Sequence, residues 1–487
     1  MADIILVQPV VGLLDNIKSA PAIPLSLIHA AALAVKEFEV IIIDQRIEKN
    51  WEERLKTELK KNPLCVGVTC MLGPQIKFAL QICEVVKRES EVPTVWGGAH
   101  GSTLTEQTAE SPFVDFVVFG DGEVTLVELA RALKNKTPLK DVKGLFYKDN
   151  GKIVQTADRE YLELDDYPTP PYELVDVMKY LPLRFGKPTI DIESSRGCPF
   201  TCTFCYNPHV NRCIWRPLKA ETVLQRVKYF KEKYGIESVW FIDDEMFVDL
   251  KRAKVIIEGL TKMNVKWTVQ GITVKSVLKM DEAYLKMLSE AGCKQLNLGG
   301  ESGSPRIHEM TKKGINPEKI LEVNRKLKDS GVSPWYYFIG GFPTETEEEL
   351  KMTVDLIVRI LKENKHAKIS GLGCYTPYPG TLMFKQSVEL GYEPPKELMG
   401  WSTYAVDNIN TPWVTGRRKK LIEGLQFTSF FIDDKPSDVN APWYVQVVAF
   451  LYKPIAKFRL KHMFFGFPVE IMIGNKIKKR IANQKCF

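Results

Sequence analysis

Cys198, Cys202 and Cys205 stand at C-x3-C-x2-C spacing inside the run Arg196-Gly197-Cys198-Pro199-Phe200-Thr201-Cys202-Thr203-Phe204-Cys205-Tyr206-Asn207. The run supplies three thiolates to one small volume. An iron–sulfur cube takes four ligands, so three cysteines leave one iron open to a substrate or a second cofactor. The plainer reading is a structural or zinc triad. Zinc sites usually join C-x2-C to a second Cys/His pair, and no such pair lies nearby in the sequence.

Other residues able to do chemistry recur at intervals on either side. Downstream are Asp243-Asp244-Glu245, Gly299-Gly300-Glu301-Ser302, Gly340-Gly341-Phe342-Pro343-Thr344-Glu345 and Thr376-Pro377-Tyr378-Pro379-Gly380-Thr381. Carboxylates can hold an ammonium group or ribose hydroxyls, and glycine lets a backbone approach a ligand closely. Taken singly, a Gly-Gly pair is ordinarily a turn, and Asp-Asp before a helix is ordinarily an N-cap. Upstream are Val66-Gly67-Val68-Thr69, Gly97-Gly98-Ala99-His100 and Gly120-Asp121-Gly122-Glu123. Cys65, Cys70, Cys83, Cys293 and Cys374 lie in apolar runs and read as buried thiols. Cys374, at a strand end, and Cys213, after the cysteine loop, are secondary candidates for active-site thiols.

The elements that must position these residues form two series. Apolar runs at 3–8, 38–44, 65–70, 92–96 and 113–119 read as strands, with helices at 24–36, 50–61, 75–88 and 124–134. Regular alternation argues for a parallel sheet wound on both faces, and its glycine turns follow strand ends, where such sheets bind ligands. Asp149-Asn150-Gly151 between alternating runs predicts a hairpin over 143–156, and the proline-rich stretch 163–176 reads as a linker. A second series has strands at 189–192, 238–242, 266–270, 294–298, 334–339 and 369–374, with helices near 218–234, 250–263, 281–291, 316–330 and 345–362. Six strand–helix units fit an incomplete (β/α)6 barrel, whose active site lies at the C-terminal ends of the strands. The expected division is an N-terminal α/β sheet domain over 1–137, hairpin and linker over 138–184, a partial barrel over 185–394, and a helical basic-aromatic region over 395–487.

The cysteine run and the barrel pattern together resemble the radical S-adenosylmethionine enzymes. By that likeness Cys198, Cys202 and Cys205 bind a 4Fe-4S cluster. Phe204 stands where the family keeps an aromatic residue, and Tyr206 where a side chain flanks the adenine. Asp243, Asp244 and Glu245 fall where the family binds the methionine amino group. Gly300, Glu301 and Ser302 fall where it contacts ribose or carboxylate. The resemblance implies reductive cleavage of S-adenosylmethionine to a 5′-deoxyadenosyl radical that abstracts hydrogen from an unactivated carbon. A flavodoxin-like, Rossmann-like sheet ahead of such a barrel resembles the cobalamin-binding class of the family. That implies a corrinoid near Thr69, Gly97, Gly98, His100, Gly120, Gly122 and Glu123. The chain lacks Asp-x-His-x-x-Gly, the motif that ligates cobalt from below, and this class generally lacks it too. An isolated histidine such as His100 is usually structural or solvated. The implied reaction is methyl transfer to an unactivated carbon; the alternative is oxidative ring formation or C–C bond formation, as in the anaerobic porphyrin cyclase. A low-potential ferredoxin or flavodoxin would supply the electron.

The 487 residues allow two or three domains, and the composition is that of a globular protein. Ten cysteines over this length do not make a disulfide framework; free thiols suit a reducing cytoplasm, and an open cluster suits anaerobic life. No basic region precedes the first apolar run and no stretch is long enough to span a membrane. The net charge of +7 is concentrated in residues 443–487, where nine basic residues (Lys453, Lys457, Arg459, Lys461, Lys476, Lys478, Lys479, Arg480 and Lys485) face one acid, Glu470. Trp443, Tyr444, Phe450, Tyr452, Phe458, Phe464, Phe465 and Phe467 interleave with them. Such a mixture suits either packing on the barrel with a solvated basic face or an anionic membrane surface. Nothing upstream supports nucleic-acid binding. The resulting expectation is a cytoplasmic enzyme, peripheral on the inner face of the membrane, with a hydrophobic small-molecule or lipid substrate such as an isoprenoid or a tetrapyrrole.

Overall fold

Alternate residues of the first strand, β1 (Ile4–Gln8), enter two different cores. Ile4 and Leu6 pack with the helices Leu25–Ala34 and Glu123–Asn135, and Ile5 and Val7 with Trp51–Leu59 and Gln75–Glu89. A strand covered on both faces must be apolar throughout, which is why this region reads as continuous hydrophobic runs. The computed structural model describes residues 2–474 apart from 13–14, 16–19, 405–407, 434–442, 467–469 and 473. Within it β1 lies between β2 (Val40–Asp44) and β3 (Cys65–Thr69), followed by β4 (Thr94–Gly97) and β5 (Phe116–Val118), all parallel in the order β2-β1-β3-β4-β5. This is the flavodoxin-like order.

The hairpin does not stand apart with the linker. β6 (Leu145–Asp149) pairs antiparallel with β5, and β7 (Lys152–Gln155) with β6, so the first sheet has seven strands. Asn150 and Gly151 both take positive φ, as a two-residue hairpin turn requires. The proline-rich stretch and the residues after it are packed: Leu164, Tyr172, Val177 and Tyr180 are buried, and the Tyr180 hydroxyl donates to Asp44 Oδ2 at 2.9 Å.

The second sheet begins with β8 (Leu183–Arg184), antiparallel to β9 (Lys187–Ile192). The short pair β10 (Ser195–Arg196) and β11 (Arg216–Pro217) brackets the cysteine loop. β12 (Ser238–Phe241), β13 (Lys266–Ile272), β14 (Cys293–Glu301), β15 (Ser333–Gly340) and β16 (Lys368–Cys374) then add in chain order, giving six parallel strands from β9 to β16. The sequence-predicted partial barrel is therefore present. Four of its helices start on side-chain caps from Asp249, Asp281, Asn316, and Thr346, which forms a capping box with Glu349.

Past the barrel, the chain returns to the first sheet. Trp401 and Tyr404 are buried among the side chains of the Gln75–Glu89 side, and Trp401 Nε1 donates to Gln107 Oε1 at 2.6 Å. Helix Gly416–Ser429 then packs on β16, and helix Trp443–His462 packs on that helix. The side chains of Trp443 and Tyr444, and residues Phe467, Lys476, Lys478, Lys479, Arg480 and Lys485, lie outside the described residues.

Candidate active site

The cysteine loop leaves the barrel sheet just after β9 and is tied down before the first cysteine. Ser194 and Ser195 donate their hydroxyls to Asp243 Oδ1 at 2.6 and 2.5 Å, and the Ser194 N–H donates to Oδ2 at 3.0 Å. Burial pushes the Asp243 carboxyl up to about 6, against those three hydrogen bonds. Gly197 has φ +82°, and a Cβ there would lie 2.1 Å from the Ile214 carbonyl oxygen, so only glycine lets the loop pass its own return. Its N–H donates to Asp244 Oδ2 at 3.1 Å. Beyond it, Thr203 is fixed by its N–H to Thr311 O at 3.0 Å and its hydroxyl to Met310 O at 3.0 Å.

Cys198, Cys202 and Cys205 are free and partly exposed. Burial pushes the Cys198 thiol up to about 12, Cys205 up to about 11, and Cys202 upward as well. Deprotonation must therefore accompany metal binding. Among the described residues no group of three or more His, Cys, Asp or Glu side chains is arranged around a single ion. The Asn207 N–H, 3.5 Å from Cys205 Sγ, is the kind of donor that tunes a cluster thiolate. Phe204 meets Phe342 edge-on, with centroids 6.1 Å apart, and Tyr206 lies 6.4 Å from Tyr378. Three free thiols under aromatic cover fit an iron–sulfur cube.

The downstream residues divide into two groups. Asp244 faces a cavity shared with Tyr206. Asp243, Glu245 and Ser302 do not: each is engaged within the protein. Glu245 is fully buried and accepts the Phe247 and Thr273 N–H groups at 3.1 and 2.7 Å. Ser302 is equally buried, with its hydroxyl 3.1 Å from Thr353 Oγ1 and from the Ser304 N–H. In this structure the polar atoms of these three therefore support the loops around the cysteines. Glu301, at φ +57°, is paired with Lys313 Nζ at 2.7 Å. Gly300 leaves room for the Phe338 ring, whose edge would be 2.9 Å from a Cβ. Lys313 was missed in the sequence. Its ammonium lies 5.9 Å from the Phe204 ring centre, beside Cys202 and Cys205.

The cavity, of about 380 Å³, opens between the C-terminal edges of the two sheets. Its first wall holds Thr69, Gly97, Gly98, Gly120, Gly122 and Glu123; its second holds Glu193, Ser195, Arg196, Tyr206 and Asp244. The glycine turns and the two flanks of the cysteine loop, Arg196 and Tyr206, far apart in sequence, thus share one space, which the three cysteines themselves do not line. His100 is not on that wall. Its ring is buried 6.2 Å from Trp96, burial lowers it to about 4, and neither nitrogen has a partner. The first turn of helix Ala99–Thr103 buries it, directly after the Gly97-Gly98 turn that does line the cavity. Cys65, Cys70, Cys83, Cys293 and Cys374 are buried as expected, and Cys213 is partly exposed.

Arg196 joins the walls. It contacts Glu123 at 2.7 Å, Glu193 at 3.0 Å, Asp121 at 3.5 Å and His29 Nδ1 at 2.7 Å. Burial is the largest influence on Glu193 and raises it, but its basic neighbours together, Arg196 foremost through its charge and hydrogen bond, outweigh burial and hold the carboxyl at about 2. Burial lowers His29 to about 4, and its Nδ1 lies between Arg196 at 2.7 Å and Glu193 Oε1 at 3.1 Å. Only the Arg beside the cysteine run hinted at this cluster; its partners lie up to 167 residues away.

The Radical SAM superfamily model matches residues 192–357, and the B12 binding domain model matches residues 19–130. An uncharacterised methyltransferase of Pyrococcus horikoshii is 31% identical, covering 80% of this chain and 83% of its own. The anaerobic magnesium-protoporphyrin IX monomethyl ester cyclase of Rubrivivax gelatinosus is 26% identical over 72% of this chain and 63% of its own. Among solved structures, the cobalamin-dependent radical enzyme OxsB, with aqua-cobalamin and S-adenosylmethionine bound, superposes with a TM-score of 0.75 at 19% identity, over 99% of this chain and 75% of that one. The methyltransferase TsrM of Kitasatospora setae, with cobalamin and a [4Fe-4S] cluster, gives 0.66 at 20% identity, over 80% and 75%. With a three-cysteine loop on a six-stranded partial barrel facing the glycine turns of a flavodoxin-like sheet, the chain belongs to the cobalamin-binding radical S-adenosylmethionine enzymes, whose cofactors are a [4Fe-4S] cluster, S-adenosylmethionine and cobalamin.

Proposed function

We propose that this enzyme transfers a methyl group to an unactivated carbon of a hydrophobic substrate, a lipid or a tetrapyrrole. The observation that carries the reading is one cavity walled by both the glycine turns and the flanks of the cysteine loop, Arg196 and Tyr206. When bound there, the cluster, S-adenosylmethionine and corrinoid supply an electron, a carbon radical and the methyl group. The chain's part is to bind, orient and exclude water. Cys198, Cys202 and Cys205 hold the cluster. Asp244 takes the methionine ammonium, Tyr206 flanks the adenine, and Phe204 covers the cluster with Phe342. Lys313 holds Glu301 in place, and Gly300 allows Phe338 to close that side. Thr69, Gly97, Gly98, Gly120 and Gly122 receive the corrinoid with little side-chain bulk.

A tetrapyrrole is favoured by the cyclase relative and by a 26% identical relative named for methylating bacteriochlorophyllide d. The same reading assigns the electron to a low-potential ferredoxin or flavodoxin and puts the enzyme at the inner membrane face, where such substrates partition. The cyclase likeness also keeps radical ring closure as a second reading. The test is anaerobic turnover of the reconstituted enzyme with porphyrin and lipid extracts, followed by mass spectrometry. A product gaining one carbon, with S-adenosylhomocysteine, supports methyl transfer. A product that loses hydrogen without gaining carbon replaces it with ring formation.

A further inference from the structure

Helix Trp443–His462 is apolar on the side turned away from the protein. Ala456 and Leu460 are buried, and Tyr452 packs against Phe427 and Phe431. On the opposite side Val447, Leu451, Ile455 and Phe458, at helical spacing, are all exposed. Leu451 is 67% exposed, and Val448 and Phe450 beside it are 64% and 74% exposed. A helix that packs on its own domain normally turns polar residues outward. A contiguous outward apolar face marks an interaction surface.

Charge identifies what meets it. The sequence from 443 to 469 contains no Asp or Glu, and Lys457 and Lys461 are exposed along the edge of the apolar face. Two copies meeting symmetrically through this face would bring these lysines together. The residues after Gly474 carry five basic side chains and no acid, so they too would be repelled. No helix among the described residues is long and apolar enough to cross a membrane. A helix with aliphatic and aromatic residues outward and lysines at its edge suits the plane of an anionic bilayer.

We propose that the face Val447, Val448, Phe450, Leu451, Ile455 and Phe458 docks this protein on an anionic membrane surface, with Lys457 and Lys461 against the headgroups. The inference deepens the hydrophobic-substrate reading, and rests on it only for the substrate's source. The helix packs on Gly416–Ser429, which itself packs on β16, so a docked face lies one helix away from a barrel strand.

The test is flotation of the full-length holoenzyme with phosphatidylcholine vesicles, with and without phosphatidylglycerol. The expected result is binding to the anionic vesicles that weakens with salt. Leu451→Asp/Phe458→Asp and Lys457→Glu/Lys461→Glu should each lower partitioning by about tenfold or more, with melting temperature and 5′-deoxyadenosine formation unchanged. Wild-type protein that ignores both vesicle types, or variants that float as well as wild type, would overturn the proposal. So would a wild-type dimer that Leu451→Asp/Phe458→Asp dissolves, which would assign the face to a second copy. Lost flotation with methyl transfer intact in detergent would leave the function standing; flotation without any methylated product would leave only the docking.

Discussion

Cys202 is held in a loop pinned at Thr203, so its replacement removes a ligand without moving the backbone that carries the other two. Cys202→Ala should fail to assemble the cluster and to cleave S-adenosylmethionine; the iron content and 5′-deoxyadenosine of the purified variant check this, and cleavage by the variant would contradict the assignment. Glu345 offers a test outside the cysteine loop. It is fully buried, accepts the Gly341 N–H at 2.6 Å and meets Arg418 at 3.3 Å. Burial still pushes its carboxyl from 4.5 up to about 7. The folded state therefore holds a proton that the unfolded chain has released between those values, so this group's contribution to stability falls as pH rises through that window, by up to about 3 kcal/mol, and is level above it. Glu345→Gln should flatten the melting temperature between pH 5 and pH 8; an unchanged slope would reject the cause. The cysteine triad was legible because ligand number and spacing are local. The fates of Asp243, Glu245 and Ser302 were not, because a carboxylate that caps backbone N–H groups and one that meets a ligand look alike in sequence.

The six parallel barrel strands and the five parallel strands of the first sheet were readable from apolar runs of strand length separated by helical periodicity. What the sequence could not show was attachment. The Asn150-Gly151 hairpin was evident, but its pairing with β5 is a long-range edge contact with no local signature. The packed course of 172–180 was likewise hidden behind the prolines that precede it, Pro168, Pro170 and Pro171. At β4, Gly98 follows the strand at φ +91°, and a Cβ there would lie 2.8 Å from Cys70 O and 2.9 Å from Thr69 Oγ1. Gly98→Ala must strain or move the turn that forms the cavity wall. It should lower stability by about 2 kcal/mol and reduce retained corrinoid, read from the visible spectrum after desalting. Wild-type retention at wild-type stability would show that this turn does not carry the cofactor.

One hydrophobic core runs through both sheets, from Ile4 and Leu126 to Ile190 and Val239, and they are joined further at the cavity by buried charge and on the far side of the first sheet by the return of Trp401 and Tyr404. Arg196 neutralises Glu123 from one sheet domain and Glu193 from the other. Arg196→Gln strands two buried carboxylates and should cost about 3–5 kcal/mol, with faster amide exchange in the glycine turns as well as in the cysteine loop. Faster exchange in the cysteine loop alone would show that the domains are not coupled through this residue. The exposed apolar helix face also belongs to this scale, since the basic-aromatic composition of the tail was plain while the outward direction of its apolar residues was not. The central claim is that one cavity serves both cofactor systems. The most direct measurement is anaerobic reconstitution with iron, sulfide and hydroxocobalamin, then reduction with S-adenosylmethionine and quantitation of retained corrinoid, 5′-deoxyadenosine and S-adenosylhomocysteine. Retained corrinoid together with both products is the predicted result; 5′-deoxyadenosine from protein that holds no corrinoid would contradict it.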